Sequence, residues 1–84
     1  MNNPPSLPHF PRGTRPDAET AGKIYLIKNV SALRATHQVR LLALKAIEDG
    51  KKLVLKVPRA CRFDRSLADL AEAMPHIIQR EDLP

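Results

Sequence analysis

Two short apolar runs, residues 23–28 and 52–57, enclose a longer segment with helical spacing, and this alternation is the strongest pattern in the chain. The first run holds four successive apolar residues, Ile24 to Ile27, which is typical of a strand buried on both faces. In the second run, Lys56 interrupts one of the two faces, which is typical of a half-exposed strand. We therefore predict a central first strand and a second strand nearer the sheet edge.

The segment between the two runs predicts an amphipathic helix that is capped by Ser31 and ends at Gly50, a natural left-handed stop. A broad apolar stripe is expected to lie on the sheet. It consists of Leu33, His37, Val39, Leu41, Leu42, Leu44, Ala46 and Ile47. Because only two residues separate Gly50 from the second run, the second strand is expected to run parallel to the first through a right-handed crossover.

The same rhythm then repeats more briefly. Ser66 begins a capping-box pattern ahead of a short apolar helix face, and Pro75 ends that helix. Residues 76–80 predict a third, short strand. The fold class is thus α/β, with a small three-stranded parallel sheet in the order β-α-β-α-β along the chain. A central first strand favours the spatial order 2-1-3, with one helix on each face. The order 1-2-3 would leave one sheet face for a dimer to bury.

Proline divides the chain into two regions. Five of its eight prolines fall within residues 1–22, where each removes a backbone donor and favours extended geometry. We therefore expect residues 1–22 to be a flexible Pro-rich tail and residues 23–84 to be a single small α/β domain. The tail contains two PxxP spacings, Pro5 to Pro8 and Pro8 to Pro11, which groove-binding domains recognise and which also arise by chance.

Charge favours a negatively charged partner. The formal net charge is +5, and all of that excess lies in residues 23–84, which hold twelve Lys or Arg against seven Asp or Glu. Such a domain attracts nucleic-acid phosphate or an acidic protein, although a charge of this size also serves ordinary solubility. No apolar run reaches the roughly 18 residues needed to cross a bilayer, and a single cysteine excludes an internal disulfide. We expect a soluble cytoplasmic protein without membrane contact.

Catalytic and metal-site signatures are absent from the sequence. Glycine-rich nucleotide motifs are missing, and the three histidines have no cysteine or carboxylate at metal-ligand spacing. Cys61 lies among arginines, a setting typical of reactive cysteines, but position 67, where a phosphatase loop needs arginine, is Leu67. We therefore predict a structural thiol, no enzyme activity and no cofactor.

Candidate binding residues lie where strands of a parallel sheet end, because ligands gather beyond their carboxyl ends. Lys28 and Ser31 follow the first strand, and Arg80 and Glu81 follow the third. The loop of residues 58–66 carries three arginines at a spacing of three, whose planar guanidinium groups suit phosphate or carboxylate. Phe63 either stacks on a base or plugs the sheet edge. The candidate anion-binding or partner-binding residues are Lys28, Ser31, Lys56, Arg59, Arg62, Phe63 and Arg65.

Three functions follow as hypotheses. The first is a small non-enzymatic basic binding module that contacts a polyanion, such as a nucleic-acid backbone, or an acidic protein. The second is an interaction or assembly module that forms a homodimer through an exposed sheet edge or face. The third is an enzyme that uses Cys61, which small α/β folds make conceivable.

Overall fold

The computed structural model of the protein describes residues 15–84, which form a mixed α/β fold with two helices and a mostly parallel main sheet. Within these residues, six strands and two helices follow one another. They are β1 (Ala18–Glu19), β2 (Lys23–Ile27), β3 (Ala32–Leu33), α1 (His37–Asp49), β4 (Lys52–Val57), β5 (Arg62–Phe63), α2 (Arg65–Ala73) and β6 (Ile78–Asp82).

The main sheet has four strands in the order β1-β2-β4-β6, and β3 and β5 form a second, two-stranded sheet. β2, β4 and β6 are parallel, whereas the two-residue β1 pairs antiparallel with β2. The α/β class is thus confirmed, but the prediction of a single three-stranded sheet is wrong. The predicted order 2-1-3 is also wrong, because β4 lies between two long parallel neighbours and the three long strands follow in chain order.

The apolar run in β2 misled the prediction because its two faces meet different surroundings. Ile24 and Leu26 are buried, but Tyr25 is half-buried and Ile27 is 44% exposed. β2 is therefore not sandwiched between two layers. On β4, Val54 is fully buried although it lies on the same face as Lys56. The sequence pattern predicted that this face would be exposed and that the strand would lie nearer the sheet edge.

Both helices cover one face of the main sheet. A right-handed crossover between neighbouring parallel strands fixes the side of the sheet on which its helix lies. Both crossovers here connect neighbouring strands in the same direction across the sheet, so α1 and α2 lie on the same side. The core contains the alternate strand residues Ile24, Leu26, Leu53, Leu55, Val57 and Ile78, together with Val39, Leu42, Ala43 and Ala46 of α1 and Leu67 of α2. Val54 is buried outside this core, on the opposite face. We call that opposite face the open face; it carries Lys23, Tyr25, Ile27, Lys52, Val54, Lys56, Gln79 and Glu81.

Helix α1 begins later than predicted. Thr36 is its N-cap, and the Thr36 hydroxyl accepts a hydrogen bond from the Val39 backbone N–H at 3.2 Å, so the predicted cap at Ser31 is wrong. The predicted stop is confirmed, because Gly50 ends the helix in the left-handed region at φ 67°. The predicted inner stripe is wrong in part. His37, Leu44 and Ile47 are exposed, whereas Val39, Leu42, Ala43 and Ala46 form the buried face.

The small β3–β5 sheet explains the displaced helix start. Arg62 N–H donates to the Ser31 carbonyl at 2.9 Å, and Asp64 N–H donates to the Leu33 carbonyl at 3.0 Å. Residues 31–33 therefore extend beside the loop of residues 58–66 rather than coil into helix. That loop contains β5, and Asp64 rather than Ser66 is the N-cap of α2.

β1 lies within the range that the sequence assigned to the tail. Asp17 anchors this strand, because its backbone N–H donates to the Tyr25 carbonyl at 2.9 Å and its carboxylate accepts from the Ile27 N–H at 2.7 Å. The two PxxP spacings and the rest of the predicted tail, residues 1–14, lie outside the described residues. At the other end, the predicted third strand is present but is displaced by two residues, to Ile78–Asp82.

Candidate functional site

The candidate site lies at the edge of the main sheet where β2, β4 and β6 end. Both helices begin at this edge, because each one follows a strand and returns toward the start of the next. The β3–β5 sheet spans the same edge and joins the segments that follow β2 and β4. We call this region the basic edge; its cationic residues are Lys28, Arg34, Arg59, Arg62, Arg65 and Arg80.

An open depression of about 580 Å³ lies on the basic edge and is lined by Ala32, Arg62, Phe63 and Asp64. β3 and β5 fix its geometry. Ala32 and Arg62 are paired and exposed, whereas Leu33 and Phe63 are paired on the side that faces the core. The short Ala32 side chain leaves room beside the Arg62 guanidinium. The depression can therefore accept a planar anionic group beside Arg62.

Asp64 reduces the positive charge of the depression, but its carboxylate is committed to helix α2. One carboxylate oxygen accepts from the Ser66 N–H at 2.8 Å, from the Ser66 hydroxyl at 2.6 Å and from the Leu67 N–H at 3.4 Å. The Ser66 hydroxyl bond, the two backbone bonds and the nearby Arg34 charge lower the pKa of Asp64. The carboxylate is therefore ionised at neutral pH and compensates the positive end of the α2 dipole.

Phe63 is held between the core and an arginine. The ring packs against the hydrophobic core, and the Arg80 guanidinium lies 5.2 Å from the ring centroid. The same guanidinium donates to the Pro58 and Arg59 carbonyls, each at 3.0 Å. This arrangement favours Phe63 as the plug of the sheet edge over Phe63 as a base-stacking residue. Arg80 ties β6 to the loop that follows β4.

The remaining residues of the basic edge differ in whether a carboxylate lies close to their charged group. Arg59 lies 3.9 Å from Asp82, and Arg65 lies 3.8 Å from Asp69. Both arginine side chains are more than nine-tenths exposed, so water screens these pairs and a ligand can compete for them. By contrast, within residues 15–84 no carboxylate lies within 4.0 Å of the charged groups of Lys28, Arg34 or Arg62.

The structure brings together only part of the predicted site. Ser31, Arg62 and Phe63 are neighbours through the β3–β5 sheet, and Arg59 and Arg65 flank them in sequence. Lys56 instead belongs to the open face, where its ammonium lies 6.0 Å from the Tyr25 ring centroid. Arg34 was not predicted as a site residue, because residues 31–35 were assigned to a helix whose outer side would carry it.

Cys61 is buried, 4% exposed, and its sulfur lies 3.7 Å from the Arg62 carbonyl oxygen. A thiol in this position is not accessible as a nucleophile without movement of the loop. Among residues 15–84, no three His, Cys, Asp or Glu side chains come together as metal ligands would. Over the same residues, neither helix is long and apolar enough to cross a membrane.

Comparison of the chain with protein-family models, with curated proteins and with solved structures gave no significant match in any of the three.

Proposed function

We propose that this protein is a small non-enzymatic module that binds a polyanion, such as a nucleic-acid backbone or an acidic protein, at its basic edge. One observation carries the proposal: on this edge, no carboxylate of residues 15–84 lies within 4.0 Å of the charged groups of Lys28, Arg34 and Arg62. A cation with no carboxylate at ion-pair distance gives up little internal pairing when it binds an external anion. Arg59 and Arg65 reach outward beside them and extend the surface.

The backbone supports the same interpretation. α1 and α2 both begin at the basic edge, so the positive ends of their dipoles add to the arginine charges there. Several first-turn donors are already satisfied by Thr36 and Asp64, so the side chains supply most of the direct contacts. Each contact between a ligand and an exposed guanidinium or ammonium group contributes little to affinity, but several such contacts together give strong binding.

The first test is retention on a heparin column as a function of salt. Arg34→Gln with Arg62→Gln removes two positive charges from the basic edge, and we expect this variant to elute at clearly lower salt than the wild type. Leu44→Glu with Ile47→Glu lowers the net charge by the same amount on the exposed side of α1, and it is the matched control. Equal elution of the two variants would contradict the assignment to the basic edge.

The salt dependence of affinity gives a second readout of the same proposal. Each phosphate contact contributes about 0.7 to 0.9 to the slope of log affinity against log salt. The Arg34→Gln, Arg62→Gln variant should therefore lower the magnitude of the slope for a nucleic acid by up to about 2, while the α1 control leaves it unchanged. Binding titrations at four or five salt concentrations measure this difference.

Self-association is the second candidate function, and α1 provides the observation that favours it. Leu44 is 40% exposed and Ile47 is 48% exposed, and these residues lie one turn apart on the solvent side of the helix. A second copy could cover this apolar stripe. Light scattering should then show a mass that rises with concentration and does not respond to moderate salt, and Leu44→Glu with Ile47→Glu should abolish the rise. A wild-type monomer at high concentration would exclude this candidate.

A further inference from the structure

The open face carries a second set of cations, arranged around a tyrosine. Its side chains form three rows across β2, β4 and β6. Lys23 and Lys52 are paired in the first row, Tyr25, Val54 and Gln79 in the second, and Ile27, Lys56 and Glu81 in the third. Lysines thus lie on both sides of the tyrosine along the strand direction.

The first row is electrostatically unbalanced. Lys23 and Lys52 are direct neighbours on adjacent strands, a placement in which like charges repel. Among the described residues, neither ammonium has a carboxylate within 4.0 Å, and the Lys52 ammonium donates to the His76 carbonyl at 3.1 Å. In the third row, Lys56 and Glu81 are 3.8 Å apart. The face holds three lysines and one glutamate, so an anion bound there relieves repulsion.

Tyr25 lies in the middle of this positive surface. The ring is half-buried, and its neighbour on β1 is Ala18, whose side chain is a single methyl group. On the other side lies Val54, which is fully buried and gives the ring an apolar flank. The Lys56 ammonium, 6.0 Å from the ring centroid, supplies a cation beside the aromatic surface.

Charge decides against a second copy as the occupant of the open face. Stacking two identical faces would bring two like-charged sets together, each with three lysines and one glutamate, and would bury lysines for which the pair of faces offers too few carboxylates. An acidic peptide would satisfy the lysines but would leave the tyrosine unused. A single-stranded nucleic acid satisfies both, because its bases are free to stack on an aromatic ring while phosphates meet the lysines.

We propose that the open face binds a single-stranded nucleic acid, with a base on Tyr25 and phosphates at Lys23, Lys52 and Lys56. This proposal goes beyond the polyanion binding proposed for the basic edge, because it assigns a second, separate site to the open face. Lys52 and Lys56 lie four residues apart on β4, or about 13 Å at roughly 3.3 Å per residue. A single-stranded nucleic acid that runs along β4 would pass Tyr25 between its contacts with these two lysines. A duplex keeps its bases stacked internally and cannot present one to the ring.

The test measures, by fluorescence anisotropy, the affinity of the wild type and of variants for a fluorescent oligothymidine. The affinities for a duplex DNA of equal length and for poly-glutamate are measured for comparison. Tyr25→Leu removes the ring but keeps apolar bulk, and the single-strand affinity should fall about 5- to 100-fold, the range for loss of one stacked base. Tyr25→Phe keeps the ring and should bind like the wild type. Lys23→Gln with Lys52→Gln, which leaves the tyrosine in place, should lower the magnitude of the salt slope for the single strand by about 1.4.

Three results would overturn the inference: unchanged single-strand binding by Tyr25→Leu, equal loss of duplex binding in that variant, or tighter binding of poly-glutamate than of the oligonucleotide. In each case heparin retention that depends on Arg34 and Arg62 would survive, and so would the function proposed for the basic edge. If the wild type binds neither heparin nor any of the three probes, both proposals fail. If Tyr25→Leu does not fold, the Lys23→Gln, Lys52→Gln variant decides, since an unchanged affinity and slope there overturns the proposal.

Discussion

At the residue scale, two polar side chains determine where the helices begin. Each helix start offers two residues that can cap it, Ser31 or Thr36 for α1 and Asp64 or Ser66 for α2. The structure uses Thr36, which comes after β3 rather than before it, and Asp64, which directly follows β5. The sequence around each helix start does not determine which of the two residues is the cap. The pairing of residues 32–33 with residues 62–63 joins segments that are thirty positions apart.

Thr36 should therefore matter to stability and Ser31 should not. Thr36→Ala leaves the Val39 N–H without its 3.2 Å acceptor and should lower the free energy of unfolding by about 1 kcal/mol. Ser31→Ala is the control, because Ser31 contributes its backbone carbonyl, which alanine retains. Urea unfolding of both variants measures the difference. Equal losses would contradict the position of the cap.

Asp64 should make the stability of the protein depend on acid pH. Its pKa in the folded state is lower than in the unfolded chain, chiefly because of the Ser66 hydroxyl bond. The cap therefore stabilises the fold fully above the unfolded pKa, and that stability is lost as the pH falls through the folded pKa. We expect Asp64→Ala to melt below the wild type at pH 7, with a gap that narrows below about pH 4. Asp64→Asn keeps a capping oxygen and should remove the pH dependence; a gap that stays constant with pH would refute this role.

At the scale of elements, the sequence predicted what local pattern determines. The strand at residues 52–57 and the stop of α1 at Gly50 both agree with the structure. The width of the buried side of α1 could not be predicted, because the sheet covers a narrower strip than the apolar residues of the helix. Leu44 and Ile47 thus fit the helical pattern and still face solvent. The basic edge was only partly predictable, because Arg34 lies there as a result of the extended β3 segment that precedes it.

Gly50 should be the more sensitive of the two described glycines. Its φ of 67° is unfavourable for a side chain, whereas a Cβ at this position would meet no atom within 4 Å. Gly50→Ala should therefore cost about 1 kcal/mol from backbone conformation alone. Gly22→Ala, where φ is not positive and a Cβ also meets nothing, should be neutral or stabilise by up to about 1 kcal/mol. Thermal melts of this pair isolate the conformational cost, and equal shifts would contradict it.

At the scale of the whole molecule, one-sided helix packing is the feature that the sequence did not predict. An apolar run on β2 suggests burial on both faces, but apolar composition does not say whether a helix or only neighbouring side chains cover a face. Val54 illustrates the point, because it is fully buried on a face that carries neither helix. Strand order depends on such coverage, so it could not be inferred from periodicity alone.

Adjacent positions on β2 should differ strongly in how much stability the same substitution costs. Leu26 is 1% exposed under the helices, so Leu26→Lys buries a charge in the core and should prevent folding. Ile27 is 44% exposed on the open face, so Ile27→Lys should change the free energy of unfolding by no more than about 0.5 kcal/mol. Circular dichroism with urea titration distinguishes the two. Unfolding of the Ile27 variant would show that a further layer covers the open face.

The antiparallel pairing of β1 with β2 has a practical consequence for labelling. β1 brings Arg15 to the end of β2, and the Leu83 N–H bonds the Val57 carbonyl at 2.8 Å, so both ends of the described chain emerge beside the arginines. A tag or reporter attached at Arg15 or Leu83 would crowd the surface that binding assays are meant to probe. The Gly50–Lys51 turn lies at the far edge of the sheet, and a dye attached there would report on the molecule without shielding that surface.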